Sequence, residues 1–154
     1  MISNLIQRQK KDLIRDVSSL GSLFFYIFVL VLFLSFRNYS FFSKLLSGLA
    51  IIYIVTILFR TFYFKERPEK LPHKNYIESL DASSFPSLHA ARTAFMAAVL
   101  IKFFNNKIIS AMLILLALAV AYSRIYLKKH DIKDISAGIV LGILVYFLIS
   151  LIIF

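Results

Sequence analysis

The sequence predicts an all-α membrane protein: a polytopic helical bundle of about five transmembrane helices preceded by an amphipathic interfacial helix. Hydrophobic residues make up 60% of the 154 residues and the mean hydropathy is +0.80, whereas a soluble domain is about half apolar. The apolar residues are concentrated in runs that are long enough, or nearly long enough, to cross a bilayer. We therefore expect one integral membrane domain over residues 1–154.

The net charge of +10 is carried by basic residues at the ends of the apolar runs. Anionic lipid headgroups are the nearest partners for charges in those places, so the charge predicts contact with the bilayer and not with nucleic acid. The chain contains no cysteine, which excludes disulfides and thiolate metal sites.

The first two segments are an interfacial helix and a span. Residues 1–16 combine apolar residues on roughly one helical face with charged residues elsewhere, which predicts an amphipathic helix in the membrane interface. A frayed basic tail is the alternative. Residues 17–36 carry no charge and predict the first span. Because this run lacks a small-residue cleavage site, we expect it to be retained and not removed as a signal peptide.

Four further runs predict spans two to five, at residues 41–64, 88–104, 107–127 and 135–154. Span two carries Lys44 and Arg60 near its ends, where long side chains can reach the interface. Span three contains Arg92, but its alanines favour close packing among other helices. Span five contains Gly138-x-x-x-Gly142, which predicts a face that seats another helix of the same chain or, alternatively, a dimer partner.

Three polar clusters interrupt or join these runs. Residues 65–87 hold all three prolines and several acidic residues, so they predict a loop with room for a short interfacial turn. With five spans, the ends of the helices at Arg60–Pro68, Ser84–His89 and Ser123–Asp134 all fall at the same membrane face. The chemistry of each cluster can therefore be considered together.

The first cluster contains two arginines. Arg60 and Arg67 are seven residues apart, so they share a face if the helix extends that far. Two guanidinium groups close together repel each other unless an anion lies between them, and phosphate and carboxylate are the anions that Arg prefers. The alternative is a pair of interfacial arginines that reach toward headgroups.

The second cluster predicts a helix start. Pro86 fits the first helical position, and the first turn then offers free backbone N–H groups, the Ser87 hydroxyl and the positive end of the helix dipole to an anion. His89 lies beside these groups and can exchange a proton near neutral pH. An ordinary helix cap with an interfacial histidine is the alternative.

The third cluster contains a histidine and a carboxylate. His130 and Asp134 are four residues apart, as neighbours on one helical face are. A carboxylate bonded to one imidazole nitrogen leaves the other nitrogen free as a nucleophile or base. Arg124 lies near the apolar boundary, where an unpaired charge is costly. A solvated basic loop is the alternative, and it suits Lys128, Lys129 and Lys133.

Together the clusters predict a phosphate site. They hold three arginines, two histidines, one carboxylate and a helix N-terminus, and they lack the ligand sets typical of zinc or a hard metal. This combination favours a phosphate that is held by cations and dipoles, attacked by one histidine and protonated at the leaving oxygen by another.

The same residues resemble a known family. Arg60-x6-Arg67-Pro68, Pro86-Ser87-Leu88-His89 and Ser123-Arg124-x5-His130-x3-Asp134 are similar to the three signatures of the type 2 phosphatidic acid phosphatase (PAP2) superfamily, in order, spacing and membrane context. The motifs span about half of the chain. Two positions depart from the usual pattern, because Arg60 stands where the family usually has Lys and Leu88 where it often has Gly.

The resemblance implies a metal-independent, cofactor-free phosphatase that acts through a phosphohistidine. It assigns His130 as the nucleophile, Asp134 as the group that orients it and His89 as the general acid. It assigns phosphoryl binding to the remaining motif residues, Arg60, Arg67, Ser87, Arg124 and the backbone near Leu88. Ser123 belongs to the third signature without a clear role.

The resemblance also implies a lipid substrate and a location. Membrane members of the family act on lipid phosphates or diphosphates, such as polyprenyl diphosphates, phosphatidylglycerol phosphate, phosphatidic acid and lipid A, and the small size suggests a prokaryotic plasma-membrane enzyme. The distribution of Lys and Arg favours a cytoplasmic site, whereas family members commonly work on the outer face, so the sequence assigns no orientation. The alternative function is a non-enzymatic protein that binds anionic lipid or transports an anion.

Overall fold

The computed structural model describes residues 2–152 and the side chains of residues 5–152. Within these residues all regular secondary structure is helical. The helices are α1 (Ile2–Ser19), α2 (Leu23–Ser35), α3 (Tyr39–Phe62), α4 (Tyr76–Ala82), α5 (Leu88–Phe104), α6 (Lys107–Tyr126) and α7 (Ile132–Ile152). The predicted all-α membrane bundle is thereby confirmed.

Three of these helices, α3, α6 and α7, are long and apolar enough to cross a membrane individually. The pair formed by α1 and α2 meets the same criterion as one unit that is bent by 42° at its break. Helix α5 has the predicted bounds and 17 residues. That α2 and α5 each span the membrane stays a prediction, and the last two residues of the predicted fifth span lie outside the described part of the chain.

The predicted first span, 17–36, is not one helix. Helix α1 continues to Ser19, and α2 begins only at Leu23, after a break that contains Gly21. Ser22 caps α2, because its hydroxyl accepts a hydrogen bond from the Phe25 amide at 3.2 Å. The stretch without charges is apolar, as predicted, but the Ser and Gly residues inside it end one helix and start the next.

Helix α1 packs against α6. Its apolar side chains Leu5, Ile6 and Leu13 remain 47% to 65% exposed, which leaves an apolar face free. That this face lies in the membrane interface stays a prediction, and the side chain of Ile2, which belongs to the predicted face, is outside the described side chains.

Helix α5 lies at the centre of the bundle and packs against α3, α6 and α7. Its small residues allow this close approach. Gly138 and Gly142 of α7 face α5, since a Cβ at Gly138 would lie 2.5 Å from the Ser87 carbonyl oxygen and one at Gly142 would meet the Ala91 carbonyl. The glycine pair therefore seats a helix of the same chain, which is one of the two predicted possibilities.

The outer faces of the bundle are strongly apolar. Large side chains on α2, α3, α6 and α7 point away from the core, for example Phe24 at 84% and Leu151 at 76% exposure. A water-soluble protein rarely exposes so extensive an apolar surface, whereas contact with lipid requires it. The buried core is small by comparison and centres on Tyr26, Phe95 and their neighbours.

Candidate active site

A cavity of about 230 Å³ lies where the three polar clusters meet. Its walls come from α3, the loop that follows α3, α4, α5, α6 and the α6–α7 turn. The residues that line it are Tyr53, Arg60, Arg67, Asp81, Leu88, His89, Arg92, Arg124 and His130. Six of the eight predicted site residues thus line one space, and the other two, Ser87 and Asp134, are fully buried behind it.

His130 lies in the turn between α6 and α7 and not on a helix. Lys128 adopts a left-handed backbone with φ of 54°, and the amides of Lys129 and His130 both donate to the Arg124 carbonyl, at 3.0 and 3.3 Å. This is the usual way to end a helix, although Gly is the usual residue in the left-handed position. His130 then precedes α7, so it does not share a helical face with Asp134 as the spacing predicted.

His130 and Asp134 nevertheless meet. His130 Nδ1 lies 3.6 Å from Asp134 Oδ2, slightly beyond hydrogen-bond distance. Catalytic hydrogen bonds are often this long before substrate binds. Burial lowers the pKa of His130; the Asp134 carboxylate opposes this effect, while Arg124 and Arg67 add to it. The lowered pKa favours the neutral imidazole at pH 7, and His130 lines the cavity.

Asp134 is held by three further contacts. Its Oδ2 accepts a hydrogen bond from the Asp131 amide at 3.0 Å, while Asp131 Oδ1 accepts one from the Asp134 amide at 3.0 Å. This reciprocal pair is a capping box at the start of α7. Lys65 Nζ donates to Asp134 Oδ1 at 2.7 Å. The carboxylate behind His130 is therefore fixed by a helix N-terminus and by a cation.

Arg60 and Arg67 reach the cavity from different kinds of structure. Arg60 is on the last turn of α3, whereas Arg67 lies beyond the end of that helix at Phe62, so the two do not share a helical face. Arg60 donates to the carbonyls of Leu80 and Pro86 at 2.7 and 3.2 Å. Arg67 donates to the Asp81 carbonyl. Backbone carbonyls thus position both guanidinium groups, and the exposed Asp81 carboxylate lies 3.9 Å from Arg67.

At the N-terminus of α5, Pro86 is not the first helical residue that the sequence predicted, because α5 begins at Leu88. Ser87, and not Pro86, is adjacent to the first helical residue: its hydroxyl caps α5 by accepting from the Ala90 amide at 3.5 Å. The Ser87 amide donates to the Asp134 carbonyl at 3.0 Å, which ties the second motif to the third. Leu88 and His89 follow on the first turn, where backbone amides have no partner within the helix.

Arg124 and Ser123 have different surroundings. Arg124 lines the cavity and donates from Nη1 to the Ser18 hydroxyl of α1 at 2.9 Å. Ser123 is buried, and its hydroxyl donates to the Val120 carbonyl of its own helix at 2.6 Å. Arg124 is therefore available to an anion, whereas the Ser123 side chain is used within α6.

Sequence reasoning missed five residues of this site: Tyr53, Lys65, Asp81, Arg92 and Asp131. The sequence contains a signal for Arg92, because a charged residue inside an apolar span is usually functional. Asp131 had one as well, since it precedes Asp134 by three residues, as a capping box requires. Lys65 and Tyr53 had none, because their partners lie far away in the chain.

Two solved structures have a similar fold. The crystal structure of Aquifex aeolicus LpxE has a TM-score of 0.76 and 22% sequence identity, with 92% of this chain and 86% of that chain covered. The structure of the first transmembrane PAP2 type phosphatidylglycerolphosphate phosphatase from Bacillus subtilis has a TM-score of 0.74 and 22% identity, with 94% and 76% covered. At this level of identity the likeness extends to the fold alone.

The family follows from the sequence itself. The model of the PAP2 superfamily matches residues 41–154, about three quarters of the chain, and this region contains every residue that lines the cavity. The chain therefore belongs to the PAP2 superfamily.

Proposed function

We propose that the protein hydrolyses a phosphomonoester or diphosphate of a membrane lipid through a phosphohistidine, without a metal. The observation that carries this proposal is the shared cavity: two histidines and four arginines line it, and a buried carboxylate stands behind one of the histidines. Cations that are positioned by backbone carbonyls suit a phosphoryl group that gains charge on its oxygens in the transition state.

His130 is the proposed nucleophile. Its Nδ1 faces Asp134, so Nε2 is the nitrogen that attacks phosphorus. The lowered pKa of His130 keeps the imidazole unprotonated before attack. Once the N–P bond forms, the ring becomes positive and the Asp134 carboxylate stabilises that charge.

Arg60, Arg67 and Arg124 are the proposed ligands of the phosphoryl oxygens, and the first-turn amides near Leu88 add the positive end of a helix dipole. Ser87 supports this turn as the cap of α5. The Leu88 side chain lines the cavity where the family often has no side chain, so contact with the phosphate there is expected through the backbone.

His89 is the proposed acid and base. In the first half-reaction it donates a proton to the oxygen that leaves phosphorus. In the second it removes a proton from the water that attacks the phosphohistidine, which releases inorganic phosphate and restores His130. The proposed lipid classes are polyprenyl diphosphates, phosphatidylglycerol phosphate, phosphatidic acid and lipid A, and the proposed location is a prokaryotic plasma membrane.

The test is phosphate release from a panel of lipid phosphates by the detergent-solubilised protein, with a chelator present. We expect turnover without added metal, inhibition by vanadate and an acid-labile phosphoenzyme. His130→Ala is expected to lower kcat about a thousandfold or more, because the remaining groups bind the phosphate but cannot accept it.

His73→Ala is the matched control. His73 is the third histidine of the chain, is exposed in the loop and does not line the cavity, so its replacement is expected to leave turnover unchanged. Wild-type turnover in His130→Ala would contradict the proposed mechanism. Lipid binding without hydrolysis across the whole panel would favour a binding or transport function instead.

A further inference from the structure

Arg92 of α5 is a buried cation that none of the three motifs includes. It is 4% exposed. Its Nη1 donates to the Tyr53 hydroxyl at 2.6 Å and its Nη2 to the Gly21 carbonyl at 3.0 Å. Its Nε is buried without a hydrogen-bond partner among the described residues. Arg92 and Tyr53 both line the active-site cavity.

The charge of Arg92 is not neutralised by the protein. None of the ion pairs among the described residues involves Arg92. Two hydrogen bonds to neutral oxygens offset only part of the cost of burying a guanidinium group. A cation that is kept inside an apolar helix and borders a cavity is expected to bind an anion there, and phosphate suits a guanidinium best.

With His89 as the proposed general acid, we expect Arg92 on the side from which the leaving group departs. His89 and Arg92 are three residues apart on α5, so they are neighbours on one helical face, with Arg92 about 4.5 Å farther along the helix. If His89 protonates the leaving oxygen, that oxygen lies next to His89. The group that is attached to this oxygen then extends toward Arg92 and Tyr53.

The charge of the cavity also exceeds what one phosphate needs. Four arginines line it against a single carboxylate, that of Asp81. A phosphomonoester carries about −1.5 to −2 at neutral pH, and a second phosphoryl group adds about one further negative charge. A cation on the leaving-group side stabilises a leaving group that is itself an anion more than it stabilises a lipid alcohol.

We propose that Arg92 and Tyr53 form a subsite for the second phosphoryl group of a lipid diphosphate. This inference rests on the proposed roles of His130 and His89. Attack of His130 on the terminal phosphorus forms an N–P bond and breaks the bond from that phosphorus to the bridging oxygen. The bridging oxygen leaves within a lipid monophosphate, which Arg92 holds and His89 protonates. Water then converts the phosphohistidine to inorganic phosphate, so one water is consumed per diphosphate.

The test compares two substrates that share one alcohol, farnesyl diphosphate and farnesyl monophosphate, on the purified full chain in detergent. Arg92→Gln is expected to lower kcat/KM for the diphosphate at least tenfold more than for the monophosphate. Tyr53→Phe keeps the ring and removes the hydroxyl, so it is expected to shift the same ratio about threefold. Arg92→Lys keeps the charge and is expected to recover part of the ratio.

Lys102→Gln is the matched control, because Lys102 is an exposed cation at the other end of α5. It is expected to leave both kcat/KM values unchanged. Thermal midpoints of all variants in the same detergent show whether a loss of activity reflects a loss of folded protein.

If Arg92→Gln lowers kcat/KM equally for the two substrates, the subsite is overturned. Arg92 would then have a structural role, in which it links α5 to α3 and to the α1–α2 break. If Arg92→Gln does not fold, Tyr53→Phe and Arg92→Lys decide by the same ratio: an unchanged ratio in both overturns the subsite. A wild type that hydrolyses other lipid phosphates of the panel but neither farnesyl substrate would overturn the diphosphate subsite alone. Failure on the whole panel would overturn the proposed function, so the two failures are distinguishable.

Discussion

Lys65 connects the two carboxylates behind His130: its Nζ lies 2.6 Å from Asp131 Oδ2 and 2.7 Å from Asp134 Oδ1. Burial lowers the pKa of Lys65, but its hydrogen bonds to Asp131 and Asp134 outweigh burial and raise the pKa above its ordinary value. The ammonium group is therefore permanently charged, and it fixes the carboxylate that orients the proposed nucleophile. Lys65 does not line the cavity, so we expect it to act as a positioning residue.

Lys65→Met is expected to lower kcat about tenfold, or about 1.4 kcal/mol of transition-state stabilisation, because Asp134 loses a contact that orients it. The pH profile of kcat/KM provides a second readout. In the wild type the acid limb set by His130 is expected below the ordinary pKa of about 6.5, since the pKa of His130 is lowered. Below that limb, imidazolium cannot attack. Removing the Lys65 charge leaves Asp134 less neutralised, favours imidazolium and moves the limb to higher pH.

Lys70→Met is the control for this change. Lys70 is an exposed lysine of the same loop that pairs only with Glu66 at 2.7 Å, so both kcat and the acid limb are expected to match the wild type. A wild-type pH profile in Lys65→Met would show that Lys65 does not position Asp134 for the reaction and only anchors the loop.

At the level of helices, the seam between α5 and α7 holds the site together. The Ser87 amide bonds to the Asp134 carbonyl at 3.0 Å, so the first turns of the two helices carry the second and third motifs in direct contact. Gly138 and Gly142 allow this approach, because a Cβ at either would meet backbone atoms of α5. Backbone atoms cannot rotate away as a flexible side chain can.

Gly142→Ala is therefore expected to force α5 and α7 apart, with a destabilisation of about 1–3 kcal/mol, as is typical for overpacking. The measurement is the apparent Tm in detergent, which is expected to fall by several degrees. Ser136→Ala on the exposed side of α7 is the control and is expected to retain the wild-type Tm. If Gly142→Ala melted with the wild type, the close contact at this seam would be disproved.

At the scale of the whole molecule, the polar residues of the site lie at one end of the helical bundle and the α5–α6 turn lies at the other end. The loop at 63–75, the start of α5 and the α6–α7 turn surround the cavity, whereas the α5–α6 turn at Asn105 lies at the far end of α5. Because α7 runs away from the site, its last described residue, Ile152, lies at the same end as Asn105.

The absence of cysteine makes this topology directly testable. Single cysteines are introduced at Lys74, in the site loop, and at Lys107, at the start of α6; both residues are exposed. A membrane-impermeant maleimide is expected to label them from opposite sides of the membrane, and a reporter fused to the C-terminus is expected on the Lys107 side. Labelling of both cysteines from one side would contradict the bundle. The side that exposes Lys74 also identifies the membrane face of the site.

The fold class and most of the residues that line the cavity could be predicted from the sequence. Long uncharged runs have few alternatives to membrane helices, and the predicted bounds 88–104 coincide with α5. Because the three motifs lie at helix ends, the order of spans was enough to bring Arg60, His89 and His130 to one face, and they line one cavity.

The contacts that hold these residues in place could not be predicted from the sequence. Lys65 and Asp134 are 69 residues apart, and Arg92 and Gly21 are 71 apart. Such contacts depend on the paths of loops and on helix packing, which local periodicity does not encode. The same limit explains the break at residues 20–22, where Gly21 receives a hydrogen bond from Arg92, and the turn that delivers His130. Local pattern specifies which groups are available, and packing specifies which of them meet.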